Sequence, residues 1–128
     1  VENRLLSNLD FAPAFLDAAG LPKPGDMQGR SFLPLLSGRS IPDWPRSVYY
    51  HYHEFPAVHM TKRHYGVRTE RYKLIHFYND IDAWELYDLE QDPVERHNLY
   101  ADPAYAAVRR DLEAELARLR YLYQDPIP

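Results

Sequence analysis

Apolar residues recur at Tyr105, Val108, Leu112, Leu116, Leu119 and Tyr123, at spacings of three and four that put all six on one stripe of an α-helix. Arg110, Asp111, Glu113, Glu115 and Arg118 fall between them and form the wettable side. Such a helix is marginal alone, so the rest of the chain must supply an apolar surface to cover the stripe. Asp102-Pro103 marks its start: aspartate is a favoured N-cap, and proline at the first helical position gives up an N–H that has no intrahelical partner.

The covering surface is expected to be a sheet. The stretch Ser47-Val-Tyr-Tyr-His-Tyr-His53 is β-branched and aromatic, with Val48, Tyr50 and Tyr52 on one face and Tyr49, His51 and His53 on the other. Further strands are predicted at Tyr65 to Thr69, Tyr72 to Tyr78 and Trp84 to Leu89, with Glu70-Arg71 forming a tight hairpin and Asn79-Asp80 the next turn. Ahead of them, Asp10 to Ala19 reads as a short helix with Asp10 as N-cap, Pro13 in the first turn and Phe11, Phe15 and Leu16 on one apolar face. Gly20 followed by Leu21-Pro22 ends it. A proline- and glycine-rich loop leads to Ser31, which caps one helical turn through Leu36 that closes at Gly38, and a second proline-bearing loop runs from Ser40 to Arg46. The predicted fold is α+β: a small antiparallel sheet of about four strands against a C-terminal helix, preceded by an N-terminal helix and a connector.

Composition narrows the functions available. At 128 residues, 45% apolar and 27% charged, the chain has the make-up of a folded domain with one core. Its net charge of −4, with basic residues scattered among acidic ones, offers no basic stripe, so no nucleic-acid partner is expected. No apolar run approaches the length of a membrane span, and no membrane partner is expected. The absence of cysteine excludes disulfides, thiolate metal sites and cysteine nucleophiles within these residues. Val1-Glu2-Asn3-Arg4 is neither a signal peptide nor an initiator methionine, and the chain is expected to be a piece of a longer one. Eleven tyrosines against five phenylalanines suit either a half-exposed sheet or a surface that binds sugars or a partner.

Four histidines fall within fourteen positions, at His51, His53, His59 and His64. Only Glu54 among the acidic residues lies with them, and structural or catalytic metal sites usually need three or four ligands, so no metal is expected here. The cationic group Lys62, Arg63, His64 and Arg68, with His59 just upstream, feeds a strand from a loop, which is where binding groups are commonly mounted. Two readings stand side by side: a solvated charge run, or a site for sulfate, phosphate or carboxylate, to which arginine offers a planar fork and lysine a compact charge. Ser31, Ser37, Ser40 and Ser47 sit at caps, turns or strand starts, and Asp80, Asp82, Asp88 and Asp92 lie in turn-rich stretches. No catalytic residue is assigned.

Four segments carry a family resemblance. Asp10-x-x-Pro13 with Leu16-Asp17-x-Ala19-Gly20 looks like the last helix of the type I sulfatase catalytic domain, in the alkaline phosphatase superfamily. Met27-Gln-Gly-Arg-Ser31 with Leu33-Pro-Leu-Leu36 and Gly38 is similar to the connector that follows it. Gly66-Val-Arg-Thr-Glu-Arg-Tyr-Lys-Leu-Ile75 resembles the central hairpin of the sulfatase C-terminal subdomain, and Glu85-Leu-Tyr-Asp-Leu-Glu-Gln-Asp-Pro93 with Glu95, Asn98 and Leu99 the strand and loop before its terminal helix. The stretch from His59 to Tyr78 looks most like glycan sulfatases, including N-acetylglucosamine-6-sulfatase-like members.

The resemblance implies that residues 1–38 are the last helix and connector of a catalytic domain and residues 39–128 a C-terminal subdomain. It implies a parent enzyme that hydrolyses sulfate esters with calcium and a formylglycine made within Cys/Ser-x-Pro/Ala-x-Arg. That motif is absent here, and no position can receive the calcium ligands. The expected role is to shape a pocket, with His59, Lys62, His64 and Arg68 as substrate-binding residues facing a sulfated sugar or aryl sulfate. The expected partner is the catalytic domain, with self-association through an exposed N-terminal helix, and periplasmic, secreted or lysosomal placement follows from the family. Two alternatives remain: a stand-alone binding module derived from a sulfatase, and part of a related phosphodiesterase or phosphonate hydrolase.

Overall fold

The structure, a computed structural model, describes residues 3–125; Val1 and Glu2, with which the reading of the N-terminus began, lie outside them. The chain forms two compact units, Val1–Val48 and Tyr49–Pro128.

In the first unit a 3-10 turn, Asn8–Asp10, runs into helix α1, Phe11–Ala18. The cap differs from the sequence expectation. Ser7 Oγ accepts from the Leu9 amide at 3.3 Å, and the Asp10 carboxylate accepts from the Ser7 amide at 2.8 Å, a reciprocal capping box begun by Ser7. The second Asp10 oxygen accepts from the Arg30 amide at 2.9 Å, so this carboxylate ties the helix start to the connector instead of capping α1. The C-terminal end is as expected: Gly20 adopts φ +69°, and the Leu21 amide donates to the Leu16 carbonyl at 2.9 Å. Helix α1 buries Pro13 and Ala14, leaves Phe11 and Phe15 exposed and Leu16 half-buried. Ala14 packs with Phe32 and Leu35, the latter from the single turn α2, Leu33–Leu36. Ser31 Oγ accepts from the Leu33 amide at 3.2 Å and Gly38 closes the turn at φ +75°.

A four-stranded antiparallel sheet, in the order β1 (Ser47–Tyr52), β2 (His64–Thr69), β3 (Tyr72–Phe77) and β4 (Ala83–Asp88), dominates the rest. Val67 lies opposite Leu74 and Leu74 opposite Leu86, and the two-residue period puts all three on one face. On that face lies α3, Ala106–Leu122, entered through a 3-10 turn whose N-cap Asp102 accepts from the Ala104 amide at 2.9 Å. Leu112, Leu116 and Leu119 are buried against Tyr65, Val67, Leu74, Tyr78 and Leu86, with Tyr105, Val108 and Tyr123 at the margin. Each buried leucine contributes about 1.5–3 kcal/mol, which accounts for the dominance of the stripe in the sequence. Asp88, read from sequence as a turn residue, is fully buried and receives Nε and Nη2 of Arg71 at 3.0 and 2.8 Å. That guanidinium, against the effect of burial, holds the Asp88 carboxyl below the usual range.

Candidate functional site

Strand alternation sends β1, β2 and β3 side chains to two faces with different chemistry. On the face away from α3 lie Tyr50 and Tyr52 from β1, His64, Gly66 and Arg68 from β2, and Lys73, Ile75 and Phe77 from β3. Gly66 is bare because the Tyr50 phenol lies over it: a Cβ there would stand 2.5 Å from the Tyr50 hydroxyl oxygen. The Tyr50 and Tyr52 hydroxyls are buried and have no hydrogen-bond partner among the described residues. Burial, helped by Glu95 and Glu85 and opposed by Arg68, pushes the Tyr50 phenol above its ordinary range, so it stays a donor at neutral pH.

The four predicted binding residues do not converge on one point. His59 is exposed in the loop between β1 and β2, beside Val58 (95% exposed) and Met60. Lys62 holds its ammonium 3.7 Å from the centroid of the Phe55 ring, a cation–π contact that leaves its hydrogen-bond donors unspent. His64 packs its ring among Tyr50, Tyr52 and Phe77, and its Nδ1 lies 2.8 Å from the Lys62 carbonyl oxygen. Arg68 is exposed on the same face of β2 as His64, and its side chain has no hydrogen-bonding or ion-pair partner among the described residues. Four strand residues correspond to about 13 Å between the backbones at His64 and Arg68.

Arg63 belongs to the same cationic run but braces the loop. Its Nε donates to the His53 carbonyl at 3.0 Å, Nη2 to the Phe55 carbonyl, and Nη1 to Asp80 at 3.3 Å. Sequence reasoning missed Tyr50 and Tyr52 as part of this site, although their shared face and the glycine in the middle of β2 were both readable.

The other face takes a second polar group out of contention as a ligand set. His51 Nδ1 lies 2.5 Å from Asp125, His51 Nε2 lies 2.5 Å from the Tyr78 hydroxyl, and the Tyr49 hydroxyl also donates to Asp125. Both imidazole nitrogens are therefore used. Among the described residues no group of three or more His, Cys, Asp or Glu is placed to hold a metal ion. No described helix is long and apolar enough to cross a membrane.

Comparison with known proteins gives this arrangement its context. Residues 1–122 match the family described as N-sulphoglucosamine sulphohydrolase, C-terminal. An N-acetylglucosamine-6-O-sulfatase of Bacteroides thetaiotaomicron is 49% identical over 123 residues, covering 94% of this chain and 22% of the relative. A protein solved in complex with its substrate D-glucosamine-2-N,6-O-disulfate superposes with a TM-score of 0.88 at 48% identity, over 93% of this chain and 24% of the other. The phosphonate monoester hydrolase of Agrobacterium radiobacter is similar at 29% identity and a TM-score of 0.78, over 96% of this chain and 26% of the other. The chain thus spans about a quarter of the length of the relatives it matches. With nearly its whole length matched by one family, and a helix-backed four-stranded sheet shared with sulfatases of the alkaline phosphatase superfamily, this chain belongs to the C-terminal sulfatase domains of the N-sulphoglucosamine sulphohydrolase family.

Proposed function

We propose that this chain is the C-terminal part of a sulfatase that removes sulfate from a sulfated amino sugar of a glycan, and that it shapes the substrate pocket without doing the chemistry. The observation that carries the reading is the 49% identity to an N-acetylglucosamine-6-O-sulfatase, sustained over 94% of the chain. Residues 1–38 belong with the catalytic domain and residues 39–128 form the subdomain that meets the substrate. Lys62 and Arg68 meet negative charge on the sugar or its neighbours, and His59 and His64 supply further polar contacts. Calcium bound in the catalytic domain of the complete protein would polarise the sulfate, and a formylglycine residue there would supply the nucleophile. Positioning groups speed a reaction only where something attacks the reacting centre, so the 128-residue chain by itself does not turn over.

The test has two arms. Purified alone, the chain should leave aryl sulfates and N-acetylglucosamine 6-sulfate intact, with or without calcium. In the complete protein, which should carry Cys/Ser-x-Pro/Ala-x-Arg, Arg68→Ala should raise KM for N-acetylglucosamine 6-sulfate about tenfold. Turnover by the isolated chain, or a complete protein without that motif, overturns the reading. The likeness to a phosphonate monoester hydrolase supports a second reading, in which a phosphonate ester replaces the sulfate. Preference of the complete protein for such an ester would favour it.

A further inference from the structure

The six histidines of the chain commit their nitrogens differently. His51 has both engaged, by Asp125 and Tyr78, and so has His76, by the Tyr65 hydroxyl at 2.7 Å and Asp82 at 2.9 Å. His53 stacks on His51 from an exposed position, and His97 is exposed beside Asp92. His59 is exposed, and no ring contact orients it among the described residues. His64 alone has its ring fixed by packing and by one hydrogen bond while the second nitrogen has no partner among the described residues.

The state of that nitrogen follows from its neighbour. A carbonyl oxygen can only accept, so His64 Nδ1, 2.8 Å from the Lys62 carbonyl, must carry a hydrogen. In the neutral ring Nε2 then holds the lone pair and is an acceptor. Its direction is set by Tyr52, stacked at 5.4 Å and 20°, by Phe77 at 5.1 Å, and by the edge-on Tyr50 at 5.9 Å. An acceptor held in place by three rings loses little freedom when a ligand arrives. The Tyr50 and Tyr52 hydroxyls beside it are buried without partners among the described residues.

We propose that Nε2 of His64 reads the sugar, accepting a hydrogen bond from a hydroxyl or amide N–H of the glycan ring, while Lys62 and Arg68 take its negative charge. This rests on the substrate-pocket reading above and assigns His64 a role distinct from that of a cation: it senses a neutral donor on the substrate. A site that accepts from a substrate hydroxyl discriminates against an analogue lacking it, because the acceptor is then left unpaired.

Two measurements test the proposal. The long-range ¹H–¹⁵N imidazole spectrum of the 128-residue chain should show neutral His64 protonated at Nδ1; protonation at Nε2 overturns the proposal whatever the protein hydrolyses. In the complete sulfatase, His64→Ala and His64→Asn should each raise KM for N-acetylglucosamine 6-sulfate about tenfold with kcat held within about twofold. His64→Asn keeps a donor for the Lys62 carbonyl but has no atom at Nε2, whereas His64→Gln carries an acceptor near Nε2 and should lose only about threefold. The losses should be at least about fivefold larger on the sugar sulfate than on a small aryl sulfate. Equal losses on both substrates, or His64→Asn behaving as wild type, overturns the proposal. If Arg68→Ala raises KM and His64→Ala does not, the pocket reading stands and this one falls; if neither does, the pocket reading fails first.

Discussion

Replacing Gly66 by alanine probes the packing on which the candidate site rests. The new Cβ would stand 2.5 Å from the Leu74 carbonyl oxygen, 2.5 Å from the Tyr50 hydroxyl oxygen and 2.6 Å from Tyr50 Cζ. Favourable contact between such atoms needs about 3.5–4.0 Å, so the overlap is on the order of 1 Å at each. The Tyr50 ring can swing away, but the Leu74 carbonyl belongs to strand β3, beside Ile75, which is the register partner of Gly66. Overpacking of this kind costs about 1–3 kcal/mol, offset by about 0.5–1 kcal/mol because alanine loses less backbone freedom than glycine. A net loss of about 1–2 kcal/mol, divided by an m-value of about 1–3 kcal/mol/M, lowers the urea midpoint by about 1 M. Tyr50→Ala removes two of the three collisions and leaves the backbone one. The double variant should therefore be about 1 kcal/mol more stable than the sum of the single effects predicts. Chemical denaturation followed by tyrosine fluorescence and circular dichroism measures all four proteins. A Gly66→Ala chain as stable as wild type, or strictly additive variants, would refute the reasoning.

Burial, opposed by Asp125, lowers the pKa of His51 below its ordinary value, so the unfolded chain binds this proton first; stability should fall as pH drops through about 6.5 towards the folded value, and His51→Gln should flatten that dependence. An unchanged pH profile in His51→Gln would remove this histidine from the account. Asp88→Asn should lower stability by about 1–3 kcal/mol through loss of the charge that receives Arg71, measured by the same urea titration, and a neutral effect would show that the pair contributes little. Phe15, 69% exposed, should draw copies together at high concentration, so sedimentation equilibrium should give a mass above 15.1 kDa that Phe15→Glu returns to the monomer value; a monomer at every concentration counts against self-association.

The parts of the fold legible in the sequence are those in which one interaction outweighs the rest. Six residues at helical spacing specify α3, and the β-branched and aromatic runs locate all four strands, because burial of these side chains against one another is worth more than any local alternative. Where several partners compete, residue type is a poor guide. Asp10 looks like an N-cap, yet its two oxygens are taken by the amides of Ser7 and Arg30, the second of them twenty residues away. Asp88 looks like a turn residue, yet its carboxylate is buried on a guanidinium seventeen positions earlier. Phe11, Phe15 and Leu16 form an apolar face on paper, but a periodic pattern says which side of a helix is apolar, not what covers it; Ala14 packs with Phe32 and Leu35, and of the three only Phe11 has a ring contact there, edge-on to Phe32 at 5.2 Å.

The same limit governs the candidate site. His59, Lys62, His64 and Arg68 are visible as a cationic run, and charge alone makes them look equivalent. Structure separates them by what their atoms are already doing. Arg63, indistinguishable from its neighbours in sequence, is consumed by two carbonyls and a carboxylate. Lys62 is steadied over a ring, His59 is not oriented by one, and His64 has one nitrogen spent and one to spare. Tyr50 and Tyr52 look like ordinary sheet residues until Gly66 is seen to make room for one of them and both hydroxyls are found buried without partners. Binding capacity is what remains after internal hydrogen bonds have been assigned, and those assignments depend on which distant backbone carbonyl a strand register brings alongside. A residue's charge can be read from its letter, but whether that charge is available is a property of the fold.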